Sequence, residues 1–432
     1  MTGFNTQRIH AGYDPRQHAN AANVPIYASA AFDMVTERQA DGLASGEIDG
    51  FSYSRCGNPT IDVLEKRLAQ LEGGIGAVAV ATGMAAVSFA LLAAAEMGGN
   101  IIAPTNLYGA SVDALESFFP HFGVHSNFVK NINDLTEVED AINDETKAIF
   151  AESVANPSTE VTDIEALAQV AHRHGIPLIV DNTFPTPYLF RPIEHGADIV
   201  VHSTTKGISG HGDALGGVVI DSGNFDWTNG KFPQFTEKDI VVSDERKGVW
   251  RSFSEAYGRE AFVRRVRIKY VRTFGAVQSP FNAYLQLLGL DTLSEREDKA
   301  VSNAVKVAHH LESLPHVKQV YYSGLPDSDQ HELVAKYFPK GVGTVLSFLL
   351  DGDESNIRKV VEGVKVFTYI PNVGDVRSMI VNPARVTHRE VPAAYREANG
   401  VSDNLLRLSI GLEDAEDLIA DLDQAIAGAF EE

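Results

Sequence analysis

The chain has one cysteine, Cys56, in 432 residues. An intramolecular disulfide is therefore impossible, and nothing calls for an oxidising compartment. Basic residues are scarce as well: 36 Lys and Arg face 58 Asp and Glu, leaving a net charge of -22. That sign is wrong for tracking a phosphate backbone, so nucleic acid is not an expected partner. One basic run, RRVRIKYVR from Arg264 to Arg272, departs from this balance and is read as a solvated or interface helix face. Long apolar runs are few. Ala77 to Ala95 carries no charge over about the length a bilayer needs. It is alanine-rich, broken at Thr82-Gly83 and flanked by Glu72 and Glu96 rather than by Lys or Arg, so a buried strand running into a buried helix is predicted, not a membrane span. The polar start, MTGFNTQRIHAGYDPRQH, has no apolar core of a signal peptide, and a cytoplasmic location is the expectation. P-loop, HExxH and GxSxG patterns are missing, and no metal site is predicted.

What is present is a folded chain, 44% apolar and free of low-complexity tracts. Its length exceeds what one core supports, so two domains are expected. From residue 58 helical and strand-like segments alternate. Asn58 is placed to cap a helix with Pro59 in its first turn, Ile61, Leu64, Leu68 and Leu71 mark one face, and Gly73-Gly74 stop it. Strands are predicted at Val78–Ala81, Ile101–Ala103, Asn127–Val129, Ala148–Ala151, Leu178–Val180, Ile199–Val201 and Gly217–Ile220, with helices at Met84–Met97 and Ile164–His174. Short apolar strands alternating with amphipathic helices indicate an α/β fold with a mostly parallel sheet covered on both faces. Beyond Ser222 the pattern changes, and a helix around Tyr284–Leu288 leads to Thr344–Leu350, Leu405–Ile410 and a last helix Ala415–Phe430. The expected units are an arm, 1–57, a larger domain, 58–285, and a smaller α+β domain, 286–432. Gly74-Ile-Gly-Ala-Val-Ala79 matches a dinucleotide fingerprint in composition only, because a helix precedes it and a strand follows, the reverse of what that motif needs.

The chemistry centres on HSTTKGISGHGDALGG, His202 to Gly217, where Lys206 sits among hydroxyls and glycines just past an apolar strand. A desolvated lysine loses its charge more easily, and a neutral amine attacks aldehydes. Asp181 ends the strand PLIVD one strand unit earlier and is suited to hold a pyridinium N–H, the partner that a lysine-bound pyridoxal phosphate requires. Ser203 and Thr205 offer hydroxyls for a phosphate, and Thr82-Gly83-Met84 opens a helix whose free N–H groups form an anion site. Arg55 is a second candidate phosphate ligand, and Arg407 in NLLRLSIG is a two-pronged partner for a carboxylate.

YSRCGNPT, ATGMAA, LYG, ESVANP, VDNTF, HSTTK and LRLSIGLED occur in this order along nearly the whole chain. In this the sequence resembles the pyridoxal-phosphate enzymes of cysteine and methionine metabolism, whose fold is that of aspartate aminotransferase (PLP fold type I). The resemblance implies that Lys206 bonds the cofactor aldehyde, Asp181 holds the ring nitrogen and Tyr108 stacks on the ring. It implies that Gly83, Met84, Ser203 and Thr205 hold the phosphate, joined by Tyr53 and Arg55 from a neighbouring subunit. Asn156, Asn372 and Arg407 would bind the substrate. A homo-oligomer, a tetramer built from dimers that share active sites, would follow, with the arm lying across the interface. HAGYDP, VPIY, DSGNFDW, PFNAYLQLLGLDTLSER, NVGDVRS and VTHRE look most like the O-acetylhomoserine sulfhydrylases. The implied reaction replaces acetate by sulfide or a small thiol. Asp213, where sulfhydrylases usually have threonine, and Arg385, where a small residue is usual, depart from that pattern, so a methionine or cystathionine γ-lyase and a cystathionine γ-synthase remain alternatives. Ala110 stands where methionine γ-lyases typically carry a cysteine.

Overall fold

A computed structural model describes residues 2–431. Seven strands form the larger sheet: β1 Gly76–Val80, β2 Gly99–Pro104, β3 Val124–Val129, β4 Thr146–Glu152, β5 Leu178–Asp181, β6 Ile199–His202 and β7 Gly217–Asp221. Their order is β1-β7-β6-β5-β4-β2-β3. All pairings from β6 through β3 are parallel, whereas β7 runs antiparallel to both neighbours. Side chains such as Ile149, Ile179, Val200 and Val219 are fully buried, as a sheet covered on both faces requires. Each predicted strand is found, longer by a residue or more. The helix Pro59–Glu72 begins where Asn58 Oδ1 accepts from Thr60 N–H at 3.0 Å, and it ends at Gly73 with φ of 85°, a left-handed turn that favours glycine. The apolar stretch Ala77–Ala95 divides as expected into β1 and the helix Gly83–Ala95. Among the described residues no helix is long and apolar enough to cross a membrane.

The smaller sheet has β8 Val317–Tyr321, β9 Val345–Leu350, β10 Thr368–Tyr369, β11 Met379–Val381 and β12 Leu405–Ser409, ordered β10-β11-β12-β9-β8. The helix Ala415–Phe430 covers it and coincides with its sequence prediction. Residue 285, the expected boundary, lies inside the helix Pro280–Asp291. One apolar cluster joins the two sheets, with Ile149 and Leu178 from the first and Leu346 and Leu406 from the second.

The basic run is corrected by the structure. It forms a continuous helical segment, but Arg265 is buried and paired with Glu96, Arg267 meets Glu65 at 2.6 Å and Lys269 meets Asp239 at 2.6 Å. Carboxylates distant in sequence claim these cations, so this is not simply a solvated face. The helix Leu293–Glu312 was not among the predicted elements, although Ala300, Val301, Ala304, Val307, Ala308 and Leu311 repeat at helical spacing; its inner face also buries Arg296, Glu297 and Asn303.

Candidate active site

The C-terminal ends of β4, β5 and β6 open into a cavity of about 210 Å³, the edge where ligands settle in sheets of this kind. Lys206, Asp181, Tyr108, Gly83, Met84, Ser203, Thr205, Asn156, Asn372 and Arg407 all line it. Ten of the twelve predicted site residues thus converge on one space. Tyr53 and Arg55 do not. Arg55 stacks over the half-exposed Tyr53 ring at 5.3 Å and donates to the Arg272 carbonyl at 2.7 Å, away from the cavity.

Lys206 leaves β6 on a tight turn. Its N–H donates to the Ser203 carbonyl at 3.2 Å, and its own carbonyl accepts from Gly210 N–H at 2.8 Å. Buried Arg296 grips the same turn by donating to the Gly207 carbonyl at 2.9 Å, and ties it to the helix Pro280–Asp291 by donating to the Gly289 carbonyl at 2.7 Å. The Lys206 Nζ donates to Asn372 Oδ1. Burial, and secondarily the charge of Arg407, hold this ammonium down to about 8, so near neutral pH an appreciable fraction of the amine is free. In the cofactor-free protein, acylation of Lys206 by a small reagent is therefore expected to rise with pH and level off above about 8. Exposed lysines should keep gaining reactivity toward their ordinary range near 10.4. Peptide mass mapping at stepped pH measures both.

Asp181 stands in register with Glu152 on one side and Val201 on the other. The Thr183 N–H donates to Asp181 Oδ1 at 2.9 Å and the Thr183 hydroxyl donates to the same atom, while that hydroxyl oxygen accepts from Ser203 N–H at 2.9 Å. Burial raises the Asp181 carboxyl above its usual range, opposed by the Thr183 bonds and by the charge of His202. Glu152 is pushed up further, by burial and then by Asp181. Two adjoining carboxylates cannot both ionise cheaply, and Glu152 is the one driven toward its neutral form.

At the helix Gly83–Ala95, Thr82 caps the first turn by accepting from Ala85 N–H at 3.1 Å, and the N–H groups of Gly83 and Met84 stand at the open end. A Cβ on Gly83 would lie 2.5 Å from Ser203 Cβ, so only glycine lets the helix end meet the serine. Thr205 lines the cavity, but its hydroxyl donates to the Gly216 carbonyl at 3.2 Å and accepts from Gly216 N–H at 3.0 Å. Opposite, buried Arg407 from β12 donates to Asn156 Oδ1 at 2.9 Å and to the Asn372 carbonyl at 3.4 Å. Its Nε is buried without a partner, and burial lowers the guanidinium to about 10. Asn372, expected among the substrate ligands, is thus engaged by both Lys206 and Arg407.

Two residues of the site had no role assigned from the sequence: Glu152, the first of ESVANP, and His388, the middle of VTHRE. Glu152 accepts from Tyr108 N–H at 2.7 Å and so ties the tyrosine to the strand end. The signal that singled out Asp181, a carboxylate ending an apolar strand, was present for Glu152 as well. His388 is buried, donates from Nε2 to the Asn156 carbonyl at 3.0 Å and accepts at Nδ1 from the Thr387 hydroxyl at 2.9 Å. Burial and the neighbouring Arg407 lower it to about 4, so its ring is neutral and fixed in one tautomer.

The donor set fits pyridoxal phosphate. A partly neutral lysine, a strand-end aspartate, a helix terminus beside Ser203 and a guanidinium with an orphaned buried Nε surround one cavity that no single backbone segment could form. Fold and site define a pyridoxal-phosphate enzyme of the aspartate aminotransferase type. The model of the family described as Cys/Met metabolism PLP-dependent enzyme matches residues 5–427, and the chain belongs to that family. Pyridoxal phosphate is its cofactor. Sulfhydrylase FUB7 of Gibberella moniliformis is 41% identical over 430 residues, covering 99% of this chain and 98% of that protein. The O-acetyl-L-homoserine sulfhydrylase of Leptospira meyeri is 38% identical, covering 98% and 96% respectively. Among solved structures, an O-acetylhomoserine (thiol)-lyase of Campylobacter jejuni, crystallised with a pyridoxyl-lysine monophosphate, superposes with a TM-score of 0.93 at 36% identity over 99% of this chain and 100% of that one.

Proposed function

We propose that the protein is a transferase that replaces the acetate of O-acetyl-L-homoserine with sulfide or a small thiol, giving L-homocysteine, or the corresponding thioether, and acetate. The Cγ–O bond breaks and a Cγ–S bond forms. The observation that carries the reading is Arg407, bonded to Asn156 with a buried Nε to spare, facing Lys206 across the cavity. Support comes also from relatives named O-acetyl-L-homoserine sulfhydrylase in three bacteria, 38 to 39% identical over at least 98% of this chain.

Bound pyridoxal phosphate supplies an electron sink that lets protons leave the α- and β-carbons. The residues of the chain do the rest. Arg407 and Asn156 receive the α-carboxylate as a two-pronged anchor and fix the rotation of the amino acid. Lys206 would take the α-proton at its neutral Nζ, and Asn372, which accepts from that Nζ, would hold it in line. Tyr108, tied by its N–H to Glu152, would cover the cofactor ring and assist proton movement near the γ-carbon. With the cofactor bound, Asp181 would hold its ring nitrogen, and Gly83, Met84 and Ser203 would hold its phosphate. Tyr53 and Arg55, exposed and outside the cavity, complete the phosphate site of a neighbouring subunit. In this reading dimers share active sites and pair into a tetramer in the cytoplasm, with residues 1–57 crossing the interface and 58–285 and 286–432 acting as cofactor and C-terminal domains.

The test is a product analysis with O-acetyl-homoserine, O-succinyl-homoserine and methionine, each offered with sulfide, and with cysteine as the competing acceptor. Homocysteine from the acetyl ester is the expected major product. A keto acid and ammonia as major products in the presence of sulfide would make the enzyme a γ-lyase, and cystathionine in preference to homocysteine would make it a γ-synthase.

A further inference from the structure

Arg407 belongs to β12, whereas Asn156, its partner in receiving the carboxylate, belongs to the loop that leaves β4, so the clamp straddles the two sheets. A contact between side chains on separate elements is only as exact as the bonds that fix one element against the other. Strand register supplies those bonds. In the smaller sheet Arg407 stands opposite Ser347 on β9 and opposite Val381 on β11. The Ser347 hydroxyl donates to the Pro157 carbonyl at 2.8 Å. On the other flank, the chain leaving β11 turns back, with His388 N–H donating to the Pro383 carbonyl at 2.9 Å, and brings His388 Nε2 to the Asn156 carbonyl at 3.0 Å.

Two consecutive carbonyls of the loop are thus taken by donors from the two sides of Arg407, while Arg407 itself donates to Asn156 Oδ1 at 2.9 Å. Ser347, His388 and Asn156 are at most 4% exposed, and at that burial bulk water does not replace a lost donor. The tautomer of His388 suits the task. The Thr387 hydroxyl donates to Nδ1 at 2.9 Å, which leaves the ring proton on Nε2, the atom that meets the carbonyl. Thr387 lines the cavity, and its carbonyl oxygen lies 2.3 Å from where a Cβ on Gly109 would stand, so the residue after Tyr108 packs on the same segment. Neither Ser347 nor His388 lines the cavity, and the catalytic scheme uses neither.

We propose that His388 and Ser347 are positioning residues for the substrate's α-carboxylate: by holding the Asn156 and Pro157 carbonyls from the two sides of β12, they keep Asn156 Oδ1 on one arm of the Arg407 guanidinium and so fix the orientation in which Arg407 meets the carboxylate. The inference rests on the reading of Arg407 and Asn156 as the carboxylate site given above.

Steady-state kinetics of the holoenzyme, with O-acetyl-homoserine and sulfide each varied in turn, tests this in H388L, H388Q, S347A and S347T. R407M and the double variant H388L/R407M are measured alongside, with thermal melts of all. H388L and S347A are each expected to raise the KM for the amino acid about tenfold, as the loss of one buried hydrogen bond implies. The KM for sulfide and the visible absorbance of the bound cofactor should stay as in wild type. H388Q, whose amide nitrogen can reach the same carbonyl, and S347T, which keeps the hydroxyl, should recover most of the loss, whereas a packing role would be served by leucine as well as by glutamine. In the R407M background H388L should lower kcat/KM no further, because the clamp is already gone. A wild-type KM in H388L and S347A, an equal rise in the KM for sulfide, an H388Q no better than H388L, or a loss that multiplies in the double variant would overturn the proposal. R407M separates the two levels. If it keeps the wild-type KM, the carboxylate docks elsewhere and the reading of Arg407 fails, taking this inference with it; if R407M loses affinity while H388L and S347A do not, only the present inference fails. Should H388L not fold, S347A against S347T decides.

Discussion

Lys206→Ala is expected to yield a folded protein that no longer gains the mass of a reduced pyridoxyl group after borohydride treatment and turns over at least about 10³-fold more slowly, the loss of a general base and of the covalent cofactor link together. Folding should survive because the turn is held by main-chain bonds from Lys206 to Ser203 and Gly210 and by the Arg296 guanidinium on neighbouring carbonyls, none of which needs the lysine side chain. Circular dichroism, intact mass and steady-state rate give the three readings. Retention of both the borohydride-stable adduct and turnover would remove position 206 from the chemistry.

Arg407→Met attacks the other end of the substrate. Removing one member of a buried, charged contact costs on the order of 3–5 kcal/mol, which is roughly 10²- to 10³-fold or more in kcat/KM for an amino-acid substrate. Arg407→Lys should recover little of this, since a single ammonium cannot donate in parallel to both carboxylate oxygens while also meeting Asn156 and the Asn372 carbonyl. The visible absorbance of the bound cofactor should persist in both variants, because the ring is held elsewhere. A variant with an unchanged KM would show that the α-carboxylate docks at another cation.

The cofactor half of this site was legible in the sequence because it is built from local signals. Asp181 and Lys206 each follow a short apolar strand, and parallel strands place their ends side by side whatever lies between them. Thr82 and Gly83 announce a helix start by composition alone. Arg407 and Asn372 were legible by resemblance; what could not be read was that Asn372 would face Lys206 across 166 residues. The buried contacts of Glu72, which accepts from Asn182 and His202, were hidden for the same reason. Glu72 looks like the solvent-side end of an amphipathic helix, and only the packing of that helix under β4, β5 and β6 turns it inward. Arg265 misled in the opposite direction, since nothing near it in sequence foretells Glu96 as its partner. The helix Leu293–Glu312 could have been read from its apolar residues at helical spacing, whereas the burial of its Arg296, Glu297 and Asn303 could not.

The apolar cluster that runs from Ile149 to Leu406 bears on how the molecule comes apart. Heat or denaturant meets no seam between the two sheets, and a cut at residue 285 would sever a helix and strip oily surface from both fragments at once. Calorimetry of the intact chain should accordingly trace one endotherm, and anyone seeking a minimal cofactor-binding piece for expression will find the lesser lobe indispensable to it.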